Sequence, residues 1–128
     1  MISLDTHCWY WLAVDSPRLP RRLKSRLATE ALTISSTSVW ELAFLVESGR
    51  LRVDRDLQQF IDAALALEGL EVAPITSRIA VRAAKLGPLF PRDPADRLIT
   101  ATAMEFGVPL ATSDEAITRS GVVPILWD

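Results

Sequence analysis

Met1-Ile2-Ser3-Leu4-Asp5 opens the chain, and how it is read decides the fold. The run is short, apolar and ends on a carboxylate. It predicts a buried strand over Ile2 to Leu4 with Asp5 at the strand's carboxyl end. Asp5 and Thr6 can then cap a helix through Trp9 to Val14. Pro17 and Pro20 break the chain and start a second helix to about Thr29. Leu32-Thr33-Ile34-Ser35 is brief and β-branched, a second strand. A helix follows from about Ser38 to Ser48 and stops at Gly49, with Ser38 and Glu41 at capping-box spacing. Asp54 to Leu67 carries Leu57, Phe60, Ile61, Ala64 and Leu65 at the spacing of one helical face. Leu70 to Ala73 is a third strand closed by Pro74, and Thr76 starts a helix through Ala84 and Leu86. After the loop Gly87 to Arg92, Asp93-Pro94 supplies an N-cap and a proline at the first helical position. That helix sets Leu98, Ile99, Thr102, Ala103 and Phe106 on one face and stops at Gly107. Pro109 to Ala111 and Val122 to Leu126 are the last strands.

Short strands alternating with helices predict an α/β fold, a mostly parallel sheet with helices on both sides. Ligands of such folds bind beyond the carboxyl ends of the strands. Four carboxylates fall there. Asp5 and Asp114 each end a predicted strand, and Glu41 and Asp96 lie near the starts of helices. Each has a plain alternative. Asp5 and Asp93 can be N-caps, Asp96 can gain from a helix dipole, and Asp114 can be a turn residue. Glu41 is hardest to dismiss, because its neighbours Val39, Trp40, Leu42, Ala43 and Phe44 are apolar. Asp96 shares a face with Ile99 and Ala103, on the flank of the apolar stripe. Charges beside core segments are rare unless paired or bound to a metal. No Lys or Arg in these segments offers an obvious buried partner. An acidic pocket of this kind calls for a hard divalent cation such as Mg²⁺, which prefers oxygen ligands. Thr6, Ser38, Thr112 and Ser113 stand beside the acids and can orient them through hydrogen bonds.

Composition bounds the rest. The chain has 128 residues, 49% of them hydrophobic and 23% charged, which predicts one globular domain over residues 1–128. A single cysteine, Cys8, excludes an internal disulfide and reads as a small buried hydrophobe. With one histidine, His7, there are too few soft ligands for most zinc sites. No apolar run approaches the roughly 20 residues of a membrane helix. No basic segment leads into an apolar one at the N-terminus, so the expected location is cytoplasmic, with no membrane partner. The net charge of −2 does not advertise a nucleic-acid binder. The charges are clustered, however: Arg18, Arg21, Arg22, Lys24 and Arg26 crowd one segment, and Arg50, Arg52 and Arg55 another. A basic rim around an acidic pocket suits a polyanion handled through metal ions, although either cluster alone is more often a solvated helix face.

Taken in order, Leu4-Asp5-Thr6-His7, Ser38-Val39-Trp40-Glu41-Leu42-Ala43, Arg92 to Ala103 with Asp93-Pro94-Ala95-Asp96-Arg97 at its core, and Leu110-Ala111-Thr112-Ser113-Asp114 resemble the PIN-domain ribonucleases. The likeness is nearest to the VapC toxins of type II toxin–antitoxin systems, and it spans the chain to Ile125-Leu126-Trp127. The resemblance implies a PIN-like α/β/α sandwich with a short-stranded, mostly parallel sheet, commonly a homodimer. It implies an endoribonuclease dependent on Mg²⁺, with Mn²⁺ able to substitute, cutting RNA and held inactive by a cognate antitoxin. Carried over by position, the catalytic and metal-binding acids are Asp5, Glu41, Asp96 and Asp114, supported by Thr6, Ser38, Asp93 and Thr112. Two departures stand out. Relatives often carry a Lys in the helix after the Glu, where this chain has Phe44, Leu45 and Val46. They often carry a His pair before the Arg-Asp-Pro, where this chain has Pro88-Leu89-Phe90-Pro91.

Three other functions compete. A PIN-like module that only binds a partner would have no reason to keep the repulsive acids. A phosphorylated receiver domain wants an acidic pair after the first strand and a Lys after the last. A DNA flap nuclease needs insertions for which the chain has no room.

Overall fold

The computed structural model describes residues 1–128. Five strands form one sheet: β1 (Ile2–Leu4), β2 (Leu32–Ser35), β3 (Leu70–Ala73), β4 (Leu110–Ala111) and β5 (Ile125–Leu126). Their spatial order is β3-β2-β1-β4-β5, and every neighbouring pair is parallel. The seven helices are α1 (Thr6–Ala13), α2 (Arg21–Leu27), α3 (Ser36–Glu47), α4 (Leu57–Leu65), α5 (Ser77–Ala84), α6 (Pro94–Phe106) and α7 (Glu115–Ser120).

The sheet is sandwiched, as the alternating pattern predicts. One core packs Ile2 and Leu4 of β1 with Cys8 and Trp9 of α1, Leu23 and Leu27 of α2, Leu42 of α3 and Phe60, Ile61 and Ala64 of α4. The other packs Leu110 with Ile99 and Ala103 of α6 and Ile117 of α7. Leu110 and Ala111 are neighbours that belong to opposite cores, the two-residue alternation of a strand. Trp9 is fully buried, and its indole N–H donates to the carbonyl of Ala64 at 3.0 Å, tying α1 to α4. Cys8 is core, and burial pushes its thiol well up, followed by the nearby Asp5 charge.

Several boundaries differ from the sequence expectation. The cap of α3 is Ser35, not Ser38: the Ser35 hydroxyl accepts the Thr37 N–H at 3.2 Å, and the helix starts at Ser36, two residues before the expected start. Ser38 therefore lies inside the first turn, fully buried, and makes no capping box with Glu41. Helix α4 begins at Leu57 because Asp56 caps it through the Gln59 N–H. Helix α7 was not anticipated: Asp114 is an N-cap for it, not a plain turn residue. Strand β5 is shorter than Val122–Leu126, since Val123 turns into the second core and the ladder starts only at Ile125. Phe106, expected on the buried face of α6, is exposed where that helix ends, whereas Ile99, Thr100, Ala101, Thr102 and Ala103 are all buried between α5 and the sheet.

No helix is long and apolar enough to cross a membrane.

Candidate active site

The strand order reverses between β1 and β4. The chain moves from β1 out to β2 and β3, then returns to lay β4 on the other side of β1. At such a switch point the loops leave in opposite directions and open a crevice beyond the carboxyl ends of the strands. Leu4 lies opposite Ala111 in register, so Asp5 and Thr112 emerge side by side.

Asp5 is held from three directions. Its backbone N–H donates to the Ala111 carbonyl at 3.1 Å. Its Oδ1 accepts the Cys8 N–H at 2.7 Å, the N-cap bond of α1. Its Oδ2 accepts the Thr112 hydroxyl. Burial pushes the Asp5 carboxyl up, opposed by the Thr112 and Cys8 bonds and by His7, with Glu41 adding to the rise. The Thr112 hydroxyl also accepts the Asp114 N–H at 3.1 Å, and Asp114 Oδ1 caps α7 through the Ile117 N–H at 2.8 Å. Thus cap and candidate ligand are one residue at both Asp5 and Asp114.

Glu41 enters from the second turn of α3. The turn before it is placed by a buried contact in which the Thr6 hydroxyl donates to the Ser38 hydroxyl oxygen at 3.1 Å. Asp96 enters from the first turn of α6, which Asp93 caps by accepting the Ala95 and Asp96 N–H groups at 2.8 and 3.2 Å. Asp96 is pushed up to about 7, first by desolvation and then by Asp93, Asp114, Glu41 and Asp5 in turn. The four neighbouring carboxylates act on Asp96 with one sign, as acids gathered round one cleft do. None of the five is in an ion pair.

All of them line one cleft of about 330 Å³, together with Thr6, His7, Leu45, Arg50, Ile99 and Ser113. The structure thus brings Asp5, Glu41, Asp93, Asp96 and Asp114 together, with Thr112 and Ser38 bonded to their supports. Two residues of the lining were not singled out in sequence. His7 follows the Asp5 cap directly, and Arg50, after the Gly49 stop of α3, is the one member of its basic run that reaches the rim of the cleft. Leu45 borders the cleft from α3. No three His, Cys, Asp or Glu side chains close round a common point, so the cleft is an open acidic seat and not a finished cage.

Arg97, next to Asp96, does not answer this charge. Its guanidinium gathers backbone carbonyls instead: Pro91 at 2.9 Å, Ala83 at 3.2 Å, Gly87 at 2.6 Å and Phe90 at 3.2 Å. It also lies 5.6 Å from the centre of the Phe90 ring. The loop before α6 is pinned to the helix that carries Asp96.

The PIN-domain profile matches residues 2–122. The chain belongs to the PIN-domain family. This PIN domain is 32% identical over 117 residues to Ribonuclease VapC22 of Mycobacterium tuberculosis (strain ATCC 25618 / H37Rv), covering 91% of this chain and 88% of that one. It superposes with a TM-score of 0.73 and 20% identity on VapBC2 from Rickettsia felis bound to a DNA fragment from the promoter, over 100% of each chain. A toxin–antitoxin complex from Klebsiella pneumoniae gives a TM-score of 0.69 at 19% identity, over 98% of this PIN domain and 96% of its counterpart. At these identities the likeness to the solved structures is one of fold, and the five-stranded parallel sheet between helices is that PIN fold.

Proposed function

We propose that this PIN domain is a divalent-metal-dependent endoribonuclease and the toxin of a type II toxin–antitoxin pair. Asp5, Glu41, Asp96 and Asp114 are its acidic set, and Thr6, Ser38, Asp93 and Thr112 hold them in place. One observation carries it: five carboxylates, none of them ion-paired, line one cleft at the sheet's switch point in a PIN-family chain. The ribonuclease name of the Mycobacterium tuberculosis relative supports the substrate class, and the Klebsiella pneumoniae complex supports an antitoxin partner.

The donor chemistry fits Mg²⁺ or Mn²⁺. Mg²⁺ is commonly held by one or two carboxylates with water completing its shell, which an open seat of oxygen donors accommodates without a closed cage. Asp5 and Asp96 would hold the ion directly, and Glu41 and Asp114 through water or a second ion. When bound, such an ion supplies an activated water and a counter-charge for the phosphate.

The chain's own residues do the rest. The Thr112 hydroxyl and the Cys8 N–H hold both Asp5 oxygens, so that carboxylate is oriented before substrate arrives. Asp93 sets the first turn of α6 and hence the position of Asp96. Arg50 borders the cleft with no carboxylate partner and offers a positive charge to an incoming phosphodiester. A homodimer and a cytoplasmic place of action complete the proposal.

The test is cleavage of RNA by the purified chain freed of any antitoxin. We expect cutting with Mg²⁺ or Mn²⁺, none in EDTA, and loss of cutting in Asp5→Asn and Asp96→Asn with the fold retained. Undiminished cutting in excess EDTA, or by both variants, overturns the proposal.

A further inference from the structure

An aromatic stripe runs from the cleft over the outer face of α1. His7 lines the cleft and lies with its ring centre 5.7 Å from that of Trp11, one helical turn on. Trp11 in turn packs 5.7 Å from Trp127, just beyond β5. The guanidinium of Arg18 lies over the Trp11 ring at 5.8 Å. His7 is exposed, and Trp11 and Trp127 are half-buried at the edge of the first core, which they pack against. Neither indole is a core residue like Trp9, which is fully buried.

Arg18 lies over the stripe at Trp11, while the exposed Asp128 follows Trp127 at its outer end. Arg18, Arg21 and Arg22 are exposed and form no ion pair, whereas Lys24 and Arg26 nearby are matched to Asp15 and Glu30. Ring faces beside unmatched guanidiniums are the chemistry that receives single-stranded nucleic acid: bases stack on the rings and phosphates meet the arginines. A protein segment covering the stripe would leave those charges uncompensated unless it were acidic, and an acidic segment would then meet the carboxylates of the cleft.

We propose that the stripe His7–Trp11–Trp127, edged by Arg18, is the track along which unpaired bases of the RNA strand lie next to the cleft. This rests on the ribonuclease function proposed above and names how that substrate is held. His7 adjoins the reacting strand, Trp11 and Trp127 seat bases further out, and Arg18 takes a phosphate. The track selects unpaired RNA, because a base within a duplex presents no free face to a ring.

The experiment measures binding of a fluorescent unpaired RNA oligonucleotide in EDTA, where no cutting is expected, and cleavage of the same RNA with Mn²⁺. Trp127→Ala and Trp11→Ala should each weaken binding by roughly ten-fold or more, the usual loss for one stacked base. In cleavage they should raise KM with kcat nearly unchanged. Trp127→Phe should restore binding, since a ring is kept. Arg18→Ala should lower the slope of log affinity against log salt by about 0.7, one phosphate contact on a single strand. Trp40→Ala, on the exposed face of α3, serves as the comparison and should bind like the parent. Circular dichroism checks that each variant is folded. Folded Trp11→Ala and Trp127→Ala proteins that bind RNA no more weakly than Trp40→Ala overturn the track while leaving the ribonuclease function standing. Variants that keep RNA affinity but lose a protein partner assign the stripe to that partner and overturn it too. A parent protein that neither binds nor cuts RNA overturns both.

Discussion

Replacing Asp96 by asparagine should make the metal-free protein more stable, and the gain should depend on pH. In the unfolded chain Asp96 gives up its proton near pH 3.8, while in the folded cleft it does so at about 7. Between those values the folded state holds a proton that the unfolded state has lost, so rising pH steadily weakens the fold. Above about pH 7 the penalty is complete and constant. Left unscreened, the difference between the two titration points corresponds to ~4 kcal/mol. Asp96 faces a solvent-open cleft, and screening there reduces the effect to about 1–2 kcal/mol. At roughly 3–5 °C per kcal/mol for a domain of this size, the asparagine variant should melt about 3–10 °C above the parent near pH 8. Asn keeps the size and the position at the start of α6 but cannot be repelled by Asp93, Asp114, Glu41 and Asp5. The assay is thermal or urea unfolding in EDTA at several values between about pH 5 and 8. The parent should lose stability across that range, and the variant should lose less. Some slope should remain, because Asp5 is raised in the same direction. Glu30 and Glu105, held low by Arg26 and Arg78, act with the opposite sign but only at more acidic pH. A parent that grows more stable from about pH 5 to 8, or a variant that melts below it near pH 8, refutes the repulsive cleft.

Mg²⁺ or Mn²⁺ should stabilise the parent by roughly 1.4 kcal/mol at ten times its Kd, read as a rise in melting temperature, and Asp96→Asn should shrink that response. Thr112→Val leaves Asp5 Oδ2 and the Asp114 N–H without their partner and should cost about 1–3 kcal/mol in urea unfolding, while Thr112→Ser should recover most of it. Arg97→Lys keeps the charge but cannot span four carbonyls, so it should cost about 2–3 kcal/mol in urea unfolding.

The sandwich was legible because its strands are short, apolar and bounded. Ile2–Leu4, Leu32–Ser35 and Leu70–Ala73 each stand between clear helix starts and breakers, and all three are strands as read. The gathering of the acids was legible for a related reason: a residue directly after a parallel strand has few places to go. Boundaries set by competition among similar side chains were not legible. Ser35, Ser36, Thr37 and Ser38 can each cap a helix, and what decides for Ser35 is the buried Thr6–Ser38 contact across the fold. Helix α7 is only Glu115–Ser120, too short for a periodic stripe, and its signals were Asp114 before it and Gly121 after it, in the left-handed conformation at φ 67°. His7 within its motif and Arg50 within its basic run gave no sign of a place at the cleft's edge, which the folding of α1 and the end of α3 toward one crevice reveals.

Arg97 reads the loop before α6 in a language every amino acid speaks. Its guanidinium touches carbonyl oxygens, and only Phe90 among the loop's side chains meets it, through the ring. Leu89 stands wholly in solvent and is free of any such duty. The loop can therefore tolerate other side chains at Pro88 and Leu89 while its backbone keeps one shape. The mooring and the acid it adjoins are consecutive residues on one helix, so drift in the loop's spelling is absorbed before it reaches Asp96. A surface that must change its vocabulary to meet new partners can do so here without disturbing the grammar of the cleft.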